Sequence, residues 1–498
     1  MTEPTGRSVL DHLSPAKRTL LEKYLQGRLG NDSAGPSAIL RRSPAGLAPL
    51  SLTQEELWRR ELSVPRIPPL YNECVTLRME GALDGGALER GLNEIVRRHE
   101  MWRTTFETVG EQPVQVIRAA PSIKLPVVDL RRLPERDREA EAVRRVKEDT
   151  FRPFDMRKGP LLRPTLMRMS ETEHRLYLVA HQIVLDGMSA YQIFPSELAL
   201  LYKAFAAGKP SPLPELSVQC ADFARWQREW LQGEALAKQV DYWRTQLGGD
   251  PPALPWPTVR PRPPVRTFRG AIRSFAMPKQ LAAQLKEMSQ REGSTLFMTL
   301  LAGLAALLYR YTRQGDIVLG TLSPAGRKRS EVLGLLGYFL NPVALRLRCG
   351  TRSSFRELLQ QARRVTSEAI SHDDVPIEYL ARELKPRTDP SRSPFFTVAT
   401  SLQPPMPDLE LSWRVTSMDV ESGGASWDLY LAFIDGPSGL MGRAQYNPDL
   451  FEPGTIARLL DDLQGLLEAC GADPAQLVQD LPLVTREQGR QLADEGRI

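Results

Sequence analysis

Three observations predict an α/β fold. Strand-like and helix-like segments alternate along the chain, the helix-like segments each carry an apolar face, and a proline-crowded stretch near residue 250 separates two such series. Cys74 to Met79 reads as a strand, and Asp84 then caps a helix with Leu88, Leu92, Ile95 and Val96 on one side. Arg175 to Ala180 is apolar nearly throughout, the pattern of a strand buried on both faces. A helix follows it, ending near Tyr202, and Leu216 to about Gln246 is predicted helical and rich in aromatics. Pro251, Pro252, Pro255, Pro257, Pro261, Pro263 and Pro264 permit neither helix nor central strand, so this stretch reads as a crossover between lobes. Beyond it, Ser294 is expected to cap an apolar helix from Thr295 to Tyr311, Asp316 to Leu319 a strand, and Pro453 to Ala469 the closing helix.

These signals divide the chain into an appendage over 1–46, a first lobe over 47–250, the crossover over 251–268, a second lobe over 269–485 and the start of a linker over 486–498. In the appendage, Ser14-Pro15 opens a short helix with the stripe Leu20, Leu21, Tyr24 and Leu25. It reads equally as a solvated helix or as one that docks neighbouring modules.

Composition narrows the function. The 498 residues are 42% hydrophobic and 25% charged, which argues against disorder and against a membrane protein. The longest apolar stretch, about Leu296 to Tyr309, is too short to span a bilayer, and the N-terminus lacks a signal core, so a cytoplasmic location is expected. Cys74, Cys220, Cys349 and Cys470 show no paired spacing, which fits a reducing compartment and no structural zinc. A net charge of +5 without a basic run gives little support to nucleic-acid binding. Among the motifs, His-Glu-x-x-His, a Gly-x-Ser-x-Gly elbow, a phosphate loop and a dinucleotide fingerprint are all missing.

What stands out is His181-Gln182-Ile183-Val184-Leu185-Asp186-Gly187. It joins a buried strand to a helix, the kind of place where polar groups reach a cleft. Asp-Gly suggests a tight turn that needs glycine's backbone freedom. Taken alone, the spacing is weak. Six further segments accompany it: Ser51-Leu-Thr-Gln54-x-x-Leu57-Trp58, Arg98-His99-Glu100-Met-Trp102-Arg103-Thr104-Thr105-Phe106, Ala221-Asp222-Phe223-Ala224-Arg225-Trp226, Gly337-Tyr338-Phe339-Leu340-Asn341-Pro342-Val343, Asp373-Asp374-Val375-Pro376-Ile377-Glu378 and Ser391-Arg392-Ser393-Pro394-Phe395-Phe396. In this order they resemble the motifs of condensation domains of nonribosomal peptide synthetases, over nearly the whole chain.

The resemblance implies two lobes, each like chloramphenicol acetyltransferase, in a V-shaped pseudo-dimer with a central tunnel. It implies a monomer that works with donor and acceptor carrier proteins and a neighbouring adenylation domain. No metal or permanently bound cofactor is expected; carrier-borne 4′-phosphopantetheine arms would deliver an acyl or peptidyl thioester and an aminoacyl thioester for amide formation. The Met-Trp102-Arg and Gly187-Met-Ser189-Ala-Tyr191 runs resemble hybrid polyketide–peptide systems, which implies a polyketide-type donor. The C-terminal Asp480-Leu-Pro-Leu-Val-Thr485 resembles a lead into an adenylation domain, so the chain is expected to be one domain of a larger synthetase.

By resemblance, His181 is the structural first histidine of the motif and Asp186 pairs with an arginine. Arg327 is the candidate partner by position, the alternative being a solvated loop arginine. Arg103 and Asn341 are expected to line or brace the tunnel, or to be satisfied core groups. Trp427 is expected either to face substrate or to pack in the core. The departure is Gln182, where the family carries its second histidine, the residue assigned a base or positioning role. A glutamine amide donates and accepts hydrogen bonds but takes no proton near neutral pH. Three explanations stay open: Gln182 positions the acceptor amine; the domain binds carriers without condensing; or Gln182 is an engineered replacement. An ester-forming acyltransferase of the same superfamily is the further alternative.

Overall fold

A computed structural model describes residues 38–42, 47–63, 69–249, 251–256, 258, 260–387, 389–409, 411–417, 422–436 and 439–483. The expected N-terminal helix and the linker over 486–498 lie outside them. Two large sheets organise the chain. The first has five strands in the order β12 (Trp413–Ser417), β2 (Asn72–Glu80), β7 (Glu173–His181), β6 (Leu162–Arg168) and β5 (Val127–Asp129). The second has six, in the order β10 (Asn341–Arg348), β9 (Asp316–Ser323), β11 (Val398–Gln403), β13 (Leu429–Gly436), β14 (Gly439–Tyr446) and β8 (Ala271–Pro278). A small sheet of β1 (Leu47–Pro49), β4 (Gln112–Ile117) and β3 (Thr104–Val109) flanks the first.

The first sheet is covered on both faces, as the apolar run in β7 predicts. Leu176, Leu178 and Ala180 join Val75 and Leu77 in a core with Leu88, Leu92, Ile95 and Leu198 from the helices Gly85–Arg98 and Phe194–Ala206. Tyr177 and Val179 point the other way, with Cys74, onto Ala142 and Val146 of the helix Glu135–Phe151. This is the period-2 alternation of a strand, with an apolar layer on each side. Asp84 caps Gly85–Arg98 as expected, accepting from the amides of Gly86 and Ala87. The second sheet packs on Leu296–Thr312, whose central residues are buried all round. No single described helix is long and apolar enough to cross a membrane. All four cysteines are buried, and none is in a disulfide.

Several boundaries differ from the expectation. The region Leu216 to Gln246 is two helices, Cys220–Trp230 and Gly233–Leu247, because the chain turns at Gly233, whose φ of 56° lies in the left-handed region. Thr295, not Ser294, caps the apolar helix: its hydroxyl accepts from the Met298 amide at 3.3 Å. The strand from Asp316 runs on to Ser323. The helix after Asp186-Gly187 begins with a π turn over Ser189–Ile193 before becoming α-helical at Phe194.

Two exchanges between the halves of the chain were not anticipated. Strand β12, from late in the sequence, pairs antiparallel with β2 from Trp413↔Met79 to Ser417↔Val75. The segment between β9 and β10 sends Val332, Leu335, Leu336 and Phe339 into the first lobe's core. The proline-rich stretch lies against the second lobe, with Trp256 edge-on to Phe451 at 5.5 Å.

Candidate active site

The His181–Gly187 segment sits where β7 ends. Antiparallel pairing sets Asn72 opposite His181 and Glu73 opposite Ala180. Gln182 follows in the 3-10 turn Gln182–Val184, and its backbone amide donates to the Tyr71 carbonyl at 2.7 Å, two residues before Glu73. The Gln182 side-chain amide donates to a Glu73 carboxylate oxygen. Both line a cavity between the lobes, together with Gly187, Tyr191, Tyr338, Asn341, Trp427 and Tyr430. Burial pushes the Glu73 carboxyl above its ordinary value of 4.5, against the opposing pull of the Gln182 hydrogen bond and the Arg443 charge.

His181 is not among the residues lining this cavity. It is 2% exposed, its Nδ1 accepts from the Ile183 amide at 3.1 Å, and its ring lies 6.0 Å from that of Tyr71. With Nδ1 accepting, a neutral ring carries its proton on Nε2. Burial lowers its pKa to about 3, so the imidazole stays neutral and is a very weak base.

Asp186 is buried at 1% and binds Arg327 through both oxygens: Arg327 Nη2 donates to Oδ1 at 2.9 Å, and Nε to Oδ2 at 3.2 Å. The remaining acceptor capacity takes the Ser189 amide at 2.8 Å and the Phe339 amide at 3.1 Å. Arg327 in turn donates to the carbonyls of Val332, Leu333 and Leu335 and to the Ser189 hydroxyl. The pair therefore fastens the motif to the segment that the second lobe inserts into the first. Arg327 is no solvated loop residue; it is 1% exposed.

Gly187 calls for a correction. It is not among the residues with positive φ, so the turn does not require glycine's backbone freedom. A Cβ there would lie 3.9 Å from the Tyr191 ring, an ordinary contact on the cavity wall. Arg103 is not among the residues lining the cavity; its guanidinium donates to the Arg118 carbonyl and lies 3.8 Å from Glu100, beside β3. Asn341 does line the cavity, and its side-chain amide donates to the carbonyls of Asp373 and Val375 at 2.7 Å each. It holds the Asp373–Glu378 segment against β10. Trp427 is partly exposed to the cavity and stacks obliquely on Phe396 and Tyr430 at 5.8 and 5.5 Å.

Sequence reasoning missed Glu73. Its only signal is a carboxylate near the start of a mixed polar and apolar strand, and nothing local says what it faces. The ion pairs between the lobes, Arg60 with Glu378 and Arg382 with Glu56, were likewise invisible, since each joins residues more than 300 positions apart.

Comparison with known proteins agrees with this geometry. The family model described as "Condensation domain" matches residues 45–493. A linear gramicidin synthase chain of Brevibacillus parabrevis is 42% identical over 492 residues, which is 98% of this chain and 6% of that protein. The X-domain from teicoplanin biosynthesis superposes with a TM-score of 0.78 at 28% identity, covering 89% of this chain and 99% of that one. The first condensation domain of the calcium-dependent antibiotic synthetase, in complex with a substrate analogue, gives 0.75 at 22% identity, covering 88% and 100%. The fold is the two-lobed arrangement of chloramphenicol acetyltransferase-like units that these domains share. With four of its seven motif segments lining one inter-lobe cavity and the family match spanning nearly all of it, this chain belongs to the condensation domain family of nonribosomal peptide synthetases.

Proposed function

We propose that the domain joins a carrier-bound acyl thioester, of polyketide type, to a carrier-bound aminoacyl thioester at the cavity wall formed by Gln182 and Gly187. The observation that carries this reading is the completeness of the scaffold around the substituted position. Asp186, Arg327, Ser189 and Phe339 are mutually satisfied, so the loop bearing Gln182 is held rigidly at the cavity. A domain that needs no chemistry there has no need to bury a charge pair to hold the loop. Amine attack on a thioester is intrinsically easy, and holding both reactants in register supplies much of the rate. In this reading Gln182 positions the acceptor amine, His181 and Asp186 support the loop, and Asn341 and Trp427 shape the cavity wall. Carrier proteins bring their phosphopantetheine arms, and an adenylation domain supplies the acceptor amino acid.

The test is direct. Donor and acceptor carriers are loaded with an acyl and an aminoacyl thioester, the domain is added, and the acceptor carrier is examined by mass spectrometry for the condensed product. Product well above the uncatalysed background is expected. Carrier binding without product favours a second reading, a partner-binding module. Gln182 supports that reading, as does the X-domain of teicoplanin biosynthesis, whose solved complex is with OxyB. A free alcohol accepting the acyl group would favour ester formation instead.

A further inference from the structure

The proposed condensation leaves one proton without a destination. The acceptor amine loses it as the C–N bond forms, Gln182 cannot take it, and His181 is buried and does not line the cavity. Resting on that reading, we infer that Glu73 is the group in this chain that accepts the proton, with Gln182 as the arm that orients its carboxylate toward the acceptor amine. Glu73 lines the same cavity as Gln182 and Gly187, one strand across from the motif. A carboxylate only accepts hydrogen bonds, so an ionised Glu73 draws the NH2 end of Gln182 to itself. The amide oxygen is then left as an acceptor for an amine N–H. One amide thus holds the base and presents an acceptor to the nucleophile.

The charged and titratable groups around Glu73 come from several elements. Arg443 on β14 favours its ionised form, and Asp186 opposes it. Tyr191, in the π turn, and Tyr430, on β13, are both held protonated by burial and feel the Glu73 charge. The Tyr191 hydroxyl is buried and has no hydrogen-bond partner among the described residues, so the wall beside Glu73 carries a donor as well as a base. Burial raises the Glu73 carboxyl above its ordinary value, which makes its carboxylate a stronger base than a free one.

The step balances without a further reagent. The amine nitrogen attacks the thioester carbonyl and a C–N bond forms. The nitrogen's proton passes to the Glu73 carboxylate, the C–S bond breaks, and the departing thiolate takes that proton to leave as the donor carrier's free thiol. Glu73 ends as it began.

The experiment compares the unaltered domain with Glu73→Gln and Glu73→Asp, using loaded donor and acceptor carriers across pH. Folding is checked by thermal melting and carrier binding by titration. We expect Glu73→Gln to lower the condensation rate about 100-fold, with acceptor affinity little changed. The acid limb of the rate–pH profile should vanish with it, and Glu73→Asp should restore part of the rate. A folded Glu73→Gln variant within about threefold of the unaltered rate, with the same profile, overturns the inference. Should Glu73→Gln fail to fold, Glu73→Asp decides alone: a displaced acid limb supports the role, an unchanged profile and rate refute it. If the unaltered domain binds both carriers yet forms no amide, the condensation reading itself falls, and the role of Glu73 with it.

Discussion

Cutting either half of the Asp186–Arg327 pair should unfasten the motif, and the cost follows from the contacts. Asp186→Ala leaves the Arg327 guanidinium buried with only the carbonyls of Val332, Leu333 and Leu335 and the Ser189 hydroxyl. Arg327→Met leaves a buried carboxylate with the amides of Ser189 and Phe339 alone. Removing one partner of such a pair costs about 3–5 kcal/mol, because the remaining charge stays desolvated. The double variant removes both charges, so it should cost less than the sum of the singles by about 1–3 kcal/mol. Urea unfolding, followed by tryptophan fluorescence and read from midpoint and slope, gives the three values. Trp102, buried in the core that this pair borders, reports on it. Single variants costing under about 1 kcal/mol, or a double variant that is simply additive, would refute the view that this pair is the bolt between motif and inserted segment.

Four further outcomes are expected. Gln182→Leu removes the hydrogen bond that lowers the Glu73 pKa, so the acid limb of the condensation profile should move to higher pH; movement to lower pH would contradict the assigned contact. Because the Glu73 pKa is raised in the fold, its contribution to stability is fully present below the ordinary carboxylate value and is lost as pH rises through the folded pKa. The unaltered domain should therefore lose stability relative to Glu73→Gln over that window in pH-dependent urea melts. Asn341→Ala strands the carbonyls of Asp373 and Val375 and should destabilise by about 2–4 kcal/mol in the same melts, with a loss under about 0.5 kcal/mol counting against the clamp. Gly320→Ala places a Cβ 2.0 Å from the Phe396 ring, so a melting-point drop equivalent to about 1–3 kcal/mol is expected, relieved in part by Phe396→Leu.

Much of this molecule could be read from its residues in order. The alternation in β7, the Asp84 cap and the apolar helix Leu296–Thr312 are local patterns, since a strand or helix face is written every second or every third to fourth residue. Family motifs extended that reading to the Asp186–Arg327 pairing. Sequence rules misjudged Gly187, because Asp-Gly signals a turn whether or not the backbone there needs glycine. Motif logic left Arg103 open between tunnel and core; its place beside Glu100 and the small sheet is a tertiary fact.

Sequence alone thus determined the class of fold and the family, and it pointed to Gln182 as the position where chemistry is expected. Only the tertiary structure decided what Gln182 touches. Glu73 is 109 residues upstream and meets it through strand register, which depends on how β2 and β7 align and not on any local period. The same holds for β12 in the first sheet and for the inserted segment carrying Phe339. Periodicity tells which face of an element is buried; which distant residue is buried against it is settled only when the chain closes on itself.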